Sequence, residues 1–371
     1  MVVGYPDSMK NIITDITPAQ AVSMQADGVV LIDVREPDEH ALGLPRNALS
    51  IPRERLEQDP AAHISNHDQK VLLICGSGKR SMIAAEKLSA LGYRNVFNVL
   101  GGFQRWSAEQ LPLEENGLDQ DFTERYARHL RLPQVGIDGQ KKLDQAHIVL
   151  IGAGGLGSPA AYYLTAAGIG NITIIDNDVV DKSNLQRQIL HTEASIGTAK
   201  VDSAAAAMQA LNPRVKIRTQ QARLNADNVR SIIADADVVI DGSDNFPTRY
   251  LLNDACVELA KPLVYAAVQR FSGQMSVFDA GRHRGSAPCY RCLFPEAPNG
   301  EDAPNCAEAG VLGVLPGVMG LLQATEAIKI ILGIGQTLSG RLLQFDALAM
   351  RFSELRIPVD DECPCCGISK H

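Results

Sequence analysis

The stretch HIVLIGAGGLGSPAAYYLTAAG, residues 147–168, limits what this 371-residue chain can fold into more than any other. HIVLI reads as a strand, GAGGLG as a turn and the residues after it as a helix, and Asp176 ends the next strand 24 positions after Gly152. Two parallel strands joined in this way need a crossover helix, so the unit belongs to an α/β sheet. Glycines in such a turn let a phosphate approach the helix N-terminus, and an acid at the end of the second strand can bind a ribose. Taken alone, the pattern fits a nicotinamide-dependent oxidoreductase.

The residues beyond the second strand argue against hydride chemistry. IIDNDVVDKSNLQRQIL, residues 174–190, holds several acids, an amide and an arginine, which is more polar machinery than ribose recognition needs. Asn184, Arg187 and, farther on, Lys200 can surround a triphosphate, where cations stabilise charge developing on a pyrophosphate leaving group. Asp244, in VVIDGSDNFPTRY, follows another strand end and suits magnesium.

Upstream, VVLIDVR and KVLLIC read as short strands, and ITPAQAVSMQA and SMIAAEKLSALG carry apolar residues at helical spacing. They make a small α/β domain over residues 1–112. Residues 113–121, within the Glu-, Asp-, Pro- and Gly-rich EQLPLEENGLDQDF, read as a linker, and residues 122–371 as a larger parallel α/β domain. In VLLICGSGKRSM, Cys75 ends a strand and is followed by Gly76, Gly78, Lys79 and Arg80 before a helix. The glycines let backbone N–H groups point inward, and the helix N-terminus and the two cations add positive potential, all of which favour a thiolate, persulfide or oxyanion.

Lys and Arg total 35 against 43 Asp and Glu, so nothing resembles the basic stripe that nucleic acid requires. The start MVVGYPDSMKNIITDITPAQ shows no export signal, which points to the cytoplasm. Residues 309–325 are uncharged for 17 positions but hold Pro316 and glycines, so we expect a buried loop and helix and no membrane span. In a reducing compartment the eight cysteines need other roles than disulfides. Cys289 with Cys292 and Cys363 with Cys366 form two C-x-x-C pairs, and four soft thiolates suit a tetrahedral structural zinc that fastens the chain end to the core. A redox pair is the alternative. By spacing, Cys306 is an ordinary free thiol, Cys365 a bystander and Cys256 a core residue.

The first block resembles the rhodanese family over much of residues 12–112. Residues 75–80 resemble its C-x-x-G-x-R loop, LIDVREPDEH with Asp33 and Arg35 its D-V-R-E segment, and VLGGFQRW with Trp106 its closing G-G-x-x-x-W. ALGLPRNALSIP lacks the histidine usual before that proline. The resemblance implies a persulfide on Cys75, held as an anion by the loop amides and Arg80. A phosphatase loop of related type has one more residue.

RYARHLRLPQVG, GAGGLGSPAAYYL, DNDVVDKSNLQRQ, GTAKVDSA, DGSDNFPTRYLLND, PCYRCLFP and CAEAGVLGVLPGVMGLLQATEAIK resemble the adenylating family of molybdopterin-synthase and thiamine-biosynthesis adenylyltransferases and ubiquitin-activating enzymes, over nearly all of residues 122–370. This implies a Rossmann-like adenylyltransferase domain behind the rhodanese-like one. ATP would be bound by Gly155, Asp176, Ser183, Asn184, Leu185, Gln186, Arg187, Lys200, Asp244 and Asn245, with Asp244 near magnesium. Arg128 would reach the site of a partner subunit in a homodimer. The implied substrate is the C-terminal glycine of a ubiquitin-like sulfur carrier ending in Gly-Gly. The sulfur donor would be of the cysteine desulfurase or thiosulfate kind, and Cys306 would complete sulfur transfer. Molybdenum cofactor, thiamine and tRNA thiolation pathways stay open. A non-catalytic docking module for a carrier is the remaining alternative.

Overall fold

The computed structural model describes residues 13–41, 43–114, 119–296 and 310–368. The chain divides into two compact units, residues 1–137 and 138–371.

The first unit is built on a five-stranded parallel sheet of order β1-β5-β4-β2-β3, formed by β1 (Thr14–Ile16), β2 (Val30–Asp33), β3 (Leu49–Ser50), β4 (Val71–Ile74) and β5 (Val96–Val99). β4 is buried at every position, as a strand covered on both faces must be, and this explains its unbroken apolar run. Its side chains alternate between two cores. Leu72 and Ile74 pack with Leu31 and Trp106 on one face, and Val71 and Leu73 pack with Ile32 and Leu88 on the other. Trp106 is fully buried, and its Nε1 donates to the Pro112 carbonyl at 3.1 Å, which fixes the chain as it leaves the sheet. β4 pairs with β2 so that Ile74 lies opposite Asp33, which sets Cys75 at the carboxyl edge of the sheet.

The second unit holds an eight-stranded sheet of order β13-β12-β11-β10-β9-β6-β7-β8. β6 (His147–Ile151), β7 (Asn171–Ile175), β8 (Lys216–Gln220), β9 (Val238–Asp241) and β10 (Leu263–Gln269) run parallel. β11 (Ser272–Phe278), β12 (Arg341–Asp346) and β13 (Arg351–Arg356) extend the sheet antiparallel, so it is mixed where the sequence reading expected parallel strands alone. The β10–β11 connection takes only two residues, with Arg270 at φ 52°, too few for the crossover that a parallel neighbour requires.

Strand order reverses at β6, which has β7 on one side and β9 on the other, and this opens a crevice at the carboxyl ends of the strands. The helix Gly157–Ala167 begins directly above it. Gly152 has φ +93°, and a Cβ on Gly157 would lie 1.9 Å from the Gly152 carbonyl oxygen, so neither position tolerates a larger residue. The apolar helix Val314–Leu332 is long enough to cross a membrane by length and composition, but it packs on β10 and β11 and against the helix Gly157–Ala167. Gln323, buried on that helix, donates from Nε2 to the Asp241 and Val264 carbonyls at 2.7 and 3.1 Å. The interrupted apolar run thus yields the expected helix, about half buried, but the residues before it, 310–313, are exposed or half-buried where a buried loop was expected.

Gly157→Ala should therefore lower unfolding stability by at least about 2 kcal/mol, measured by denaturant titration, because the overlap is with backbone that cannot swing aside.

Candidate functional site

In the first unit the loop after β4 is clamped from behind. The Cys75 and Gly76 carbonyls accept from the backbone N–H groups of Phe103 and Gln104 at 2.7 and 3.0 Å, and a Cβ on Gly102 would lie 2.1 Å from the Cys75 oxygen. The Cys75 side chain is fully buried, and its Sγ accepts from Gly78 N–H at 3.2 Å and from the Ser81 hydroxyl at 3.4 Å. Gly78 sits at φ +91° just before the helix Lys79–Ala90, the conformation that turns its amide toward the sulfur.

Arg80 lies against the loop, with Nη2 3.3 Å from where a Cβ on Gly76 would stand. Its two terminal nitrogens form a bidentate pair with Glu39, each at 2.6 Å, so the guanidinium is engaged by a carboxylate and the donors in contact with the sulfur are Gly78 N–H and Ser81. Burial would raise the Glu39 pKa, but the hydrogen bonds from Arg80 prevail and lower it, and Glu39 raises that of Arg80 in turn. Behind this pair Arg35 binds Asp33 through Nε and Nη2 at 2.9 and 2.6 Å and lies over the Phe103 ring at 3.8 Å. Asp33 is held low by His40 and Arg35 against the upward push of burial.

In the second unit a cavity of about 380 Å³ opens at the carboxyl ends of β6, β7 and β9. Gly155, Asp176, Arg187, Lys200, Asp244 and Asn245 all line it, although they come from segments up to 90 residues apart. Asp176 accepts from the Ala153 and Asp178 N–H groups, both at 2.8 Å, and so joins the glycine turn to the end of β7. Lys200, buried at the start of the helix Lys200–Leu211, donates to Asp178 at 2.9 Å. Asn245 caps the helix Phe246–Glu258 by accepting from Thr248 N–H at 3.0 Å.

Ser183, Asn184, Leu185 and Gln186 are not among the residues lining the cavity. Asp181 accepts from Ser183 N–H and Oγ at 2.8 and 2.6 Å, and the Ser183 carbonyl receives Arg187 Nη1 at 3.1 Å, so this turn carries Arg187 to the cavity wall. Arg128 is exposed on the helix Ala127–Leu130, within the first unit. Cys306 lies outside the described residues.

Two features escaped the sequence reading. Buried His191 reaches the Ala153 carbonyl through Nε2 at 3.0 Å and the Ser203 hydroxyl through Nδ1 at 2.9 Å. A carbonyl only accepts, so Nε2 carries the proton and Nδ1 takes the serine's. Burial lowers the His191 pKa, which keeps the ring neutral. Arg249 lines the first cavity and also a second one of about 710 Å³, walled by Phe246, Tyr265, Phe294 and Phe345. Its Nη2 donates to the Ser243 carbonyl at 3.2 Å and its Nε lies 3.8 Å from fully buried Asp241, whose pKa burial raises. Neither residue stands in a spacing that marks it.

The Sγ atoms of Cys289, Cys292, Cys363 and Cys366 all lie within 4.8 Å of one another. Cys289–Cys363 and Cys292–Cys366 are 3.6 and 3.4 Å apart, close to the edge of about 3.8 Å that tetrahedral ligation at about 2.3 Å requires, so the group can hold a metal. Cys365 stands outside this group and accepts from Asn253 Nδ2 at 3.4 Å. Cys256 is buried in the core, where desolvation pushes its thiol up.

Comparison with known proteins matches residues 126–365 to the ThiF family and residues 17–109 to the rhodanese-like domain. The sulfur carrier protein adenylyltransferase of Thermus thermophilus is 47% identical over 264 residues, 71% of this chain and 93% of that protein. The probable adenylyltransferase/sulfurtransferase MoeZ of Mycobacterium tuberculosis is 46% identical over 255 residues, 68% of this chain and 65% of that protein. Among solved structures, E. coli MccB superposes with a TM-score of 0.58 at 19% identity, over 73% of this chain and 86% of that one, a likeness of fold alone.

Because the folded-state pKa of His191 is depressed, its contribution to stability is complete above the unfolded value of about 6.5 and is lost as pH falls through the folded one. Thermal unfolding should show a loss of stability below about pH 6.5 that is smaller in His191→Gln.

Proposed function

We propose, from the premise that this chain belongs to the ThiF family and carries a rhodanese-like domain, that it adenylylates the C-terminal glycine of a ubiquitin-like sulfur carrier and replaces the adenylate with sulfur. One observation carries the reading: Gly155, Asp176, Arg187, Lys200 and Asp244 converge on one cavity at the strand-order reversal. Two cations and an exposed carboxylate around a glycine turn suit a bound triphosphate better than a reducing cofactor.

In the first step the carrier carboxylate attacks the α-phosphorus of ATP, and the α–β bond breaks to release pyrophosphate. Arg187 and Lys200 neutralise charge on the leaving group, Asp176 orients the ribose, Asn245 borders the phosphates and Asp244 would hold magnesium. That ion would supply further charge neutralisation on the phosphates. Ser183 to Gln186 shape the turn that presents Arg187, and Arg128 would complete the site of a partner in a homodimer. Cys289, Cys292, Cys363 and Cys366 would hold zinc as a structural fastening, which leaves no open position for catalysis. We place the domains at residues 1–112 and 122–371.

Cys75, once loaded by thiosulfate or a desulfurase, would attack the acyl adenylate, release AMP and form an acyl disulfide. Cys306 thiolate would then attack Cys75 sulfur, freeing the carrier thiocarboxylate and leaving a Cys75–Cys306 disulfide for a dithiol to reduce. Such chemistry suits the reducing cytoplasm.

Carrier-dependent ATP–pyrophosphate exchange tests the first step. A carrier ending in Gly-Gly should support exchange, Asp244→Ala should slow it by about 10²-fold or more, and Cys75→Ala should leave it unchanged. No exchange with any such carrier, together with binding of a nicotinamide dinucleotide, would overturn the reading. The purified protein should also hold one zinc per chain by elemental analysis. Cys363→Ala should lose it and at least about 2 kcal/mol of stability.

A further inference from the structure

Against the sulfur of Cys75 lies a buried hydroxyl that the reaction above does not use. Ser81, fully buried in the helix Lys79–Ala90, places Oγ 3.4 Å from Cys75 Sγ, 3.2 Å from the Gly78 carbonyl and 2.7 Å from Asn98 Oδ1. Asn98 on β5 is itself buried, and its Nδ2 donates to Asp15 Oδ1 at 2.8 Å. A carboxylate only accepts, so Nδ2 must face Asp15 and Oδ1 must face Ser81. The Ser81 hydroxyl therefore has one proton and three acceptors, Asn98 Oδ1 at 2.7 Å, the Gly78 carbonyl at 3.2 Å and the sulfur at 3.4 Å.

The charge on sulfur decides where that proton points. A neutral thiol can donate its own S–H to Ser81 Oγ while Oγ–H donates to Asn98. A thiolate can only accept, and the donors in contact with it among the described residues are Gly78 N–H and this hydroxyl. A hydrogen bond to an ion is stronger than one between neutral groups, so the hydroxyl gains by turning to the sulfur.

We propose that Ser81 is a catalytic residue of the sulfur site, its single proton shared among the Cys75 sulfur, the Gly78 carbonyl and the Asn98 amide oxygen, so that Ser81 stabilises the thiolate while Asn98, a positioning residue and the nearest of the other acceptors, competes with it. The role operates before sulfur is loaded, when the thiolate attacks the outer sulfur of thiosulfate. One S–S bond forms, one breaks, the electron pair leaves with sulfite, and Ser81 keeps its proton. Only this use in sulfur loading rests on the persulfide reading of Cys75; the hydrogen bond does not.

The test is the pH dependence of Cys75 alkylation by iodoacetamide in the full chain, followed by mass spectrometry on the tryptic peptide 71–79, which has Cys75 as its one cysteine. Around the loop, Lys79 and Arg80 from its own helix, Asp33, Arg35, Glu39 and His40 from the β2 side and Asp15 behind Asn98 are the same in every variant, so differences report the hydroxyl. Ser81→Ala should move the midpoint up by about one pH unit and slow alkylation at neutral pH about tenfold, and Ser81→Thr should restore it. Asn98→Ala, which removes the nearest competing acceptor and leaves the Gly78 carbonyl as the other, should move the midpoint down, because a charged sulfur draws the proton more strongly than a neutral carbonyl. Melting curves check folding; if Ser81→Ala does not fold, Asn98→Ala tests the same bond with opposite sign. An unmoved midpoint in folded Ser81→Ala, or an Asn98→Ala midpoint that does not fall, overturns the proposal. Separately, wild-type protein that takes no sulfur from thiosulfate or a desulfurase onto peptide 71–79, with the alkylation shifts intact, overturns the persulfide reading and leaves the role of Ser81 standing.

Discussion

The close approach of Gly157 to the Gly152 carbonyl is the contact on which the second unit depends. It brings the start of the helix Gly157–Ala167 directly over the end of β6, where strand order reverses and a crevice must open. Asp176 then ties the Ala153 amide to the end of β7, and His191 holds the Ala153 carbonyl from the far side. With one turn fixed from both sides, Arg187, Lys200, Asp244 and Asn245 arrive at a common cavity from segments that share no local spacing. Lys200 stands at the N-terminus of its own helix, an arrangement whose positive potential favours anions.

The sulfur loop of the first unit applies the same physics on a smaller scale. It too lies at the carboxyl end of a central parallel strand, and it too depends on glycine at positions where a Cβ would strike backbone, here Gly102 against the Cys75 carbonyl. The difference is in what meets the reactive atom. Arg187 and Lys200 line the cavity, Lys200 while bound to Asp178, whereas the Cys75 sulfur meets a backbone amide and a hydroxyl and Arg80 beside its loop is bound by Glu39. The donors that reach the sulfur are therefore a backbone amide and a hydroxyl, dipoles of the kind that favour an anion in such a loop.

Those features that reside in a few adjacent residues were legible in the sequence. The glycine turn after β6, the loop after β4 and the clustering of the two C-x-x-C pairs each follow from short runs of residues. What was not legible depends on residues that meet only in the fold. Nothing near Arg80 announces that Glu39, 41 positions earlier, will take both of its terminal nitrogens. His191 reads as one more polar residue until β6 and the helix Lys200–Leu211 close on it. The antiparallel strands β12 and β13 were missed because a largely exposed hairpin has a weaker apolar signal than a buried parallel strand. Ser183 to Gln186 are a subtler case, since of the run Ser183 to Arg187 only Arg187 lines the cavity.

The central claim is that an activated carboxylate and a sulfur-bearing cysteine serve one product. The most direct measurement is the intact mass of a Gly-Gly-ending carrier after incubation with this protein, ATP, magnesium and thiosulfate. The account predicts a gain equal to the exchange of one oxygen for one sulfur, absent with Cys75→Ala. A carrier that is adenylylated by the wild-type protein yet never gains sulfur would contradict it.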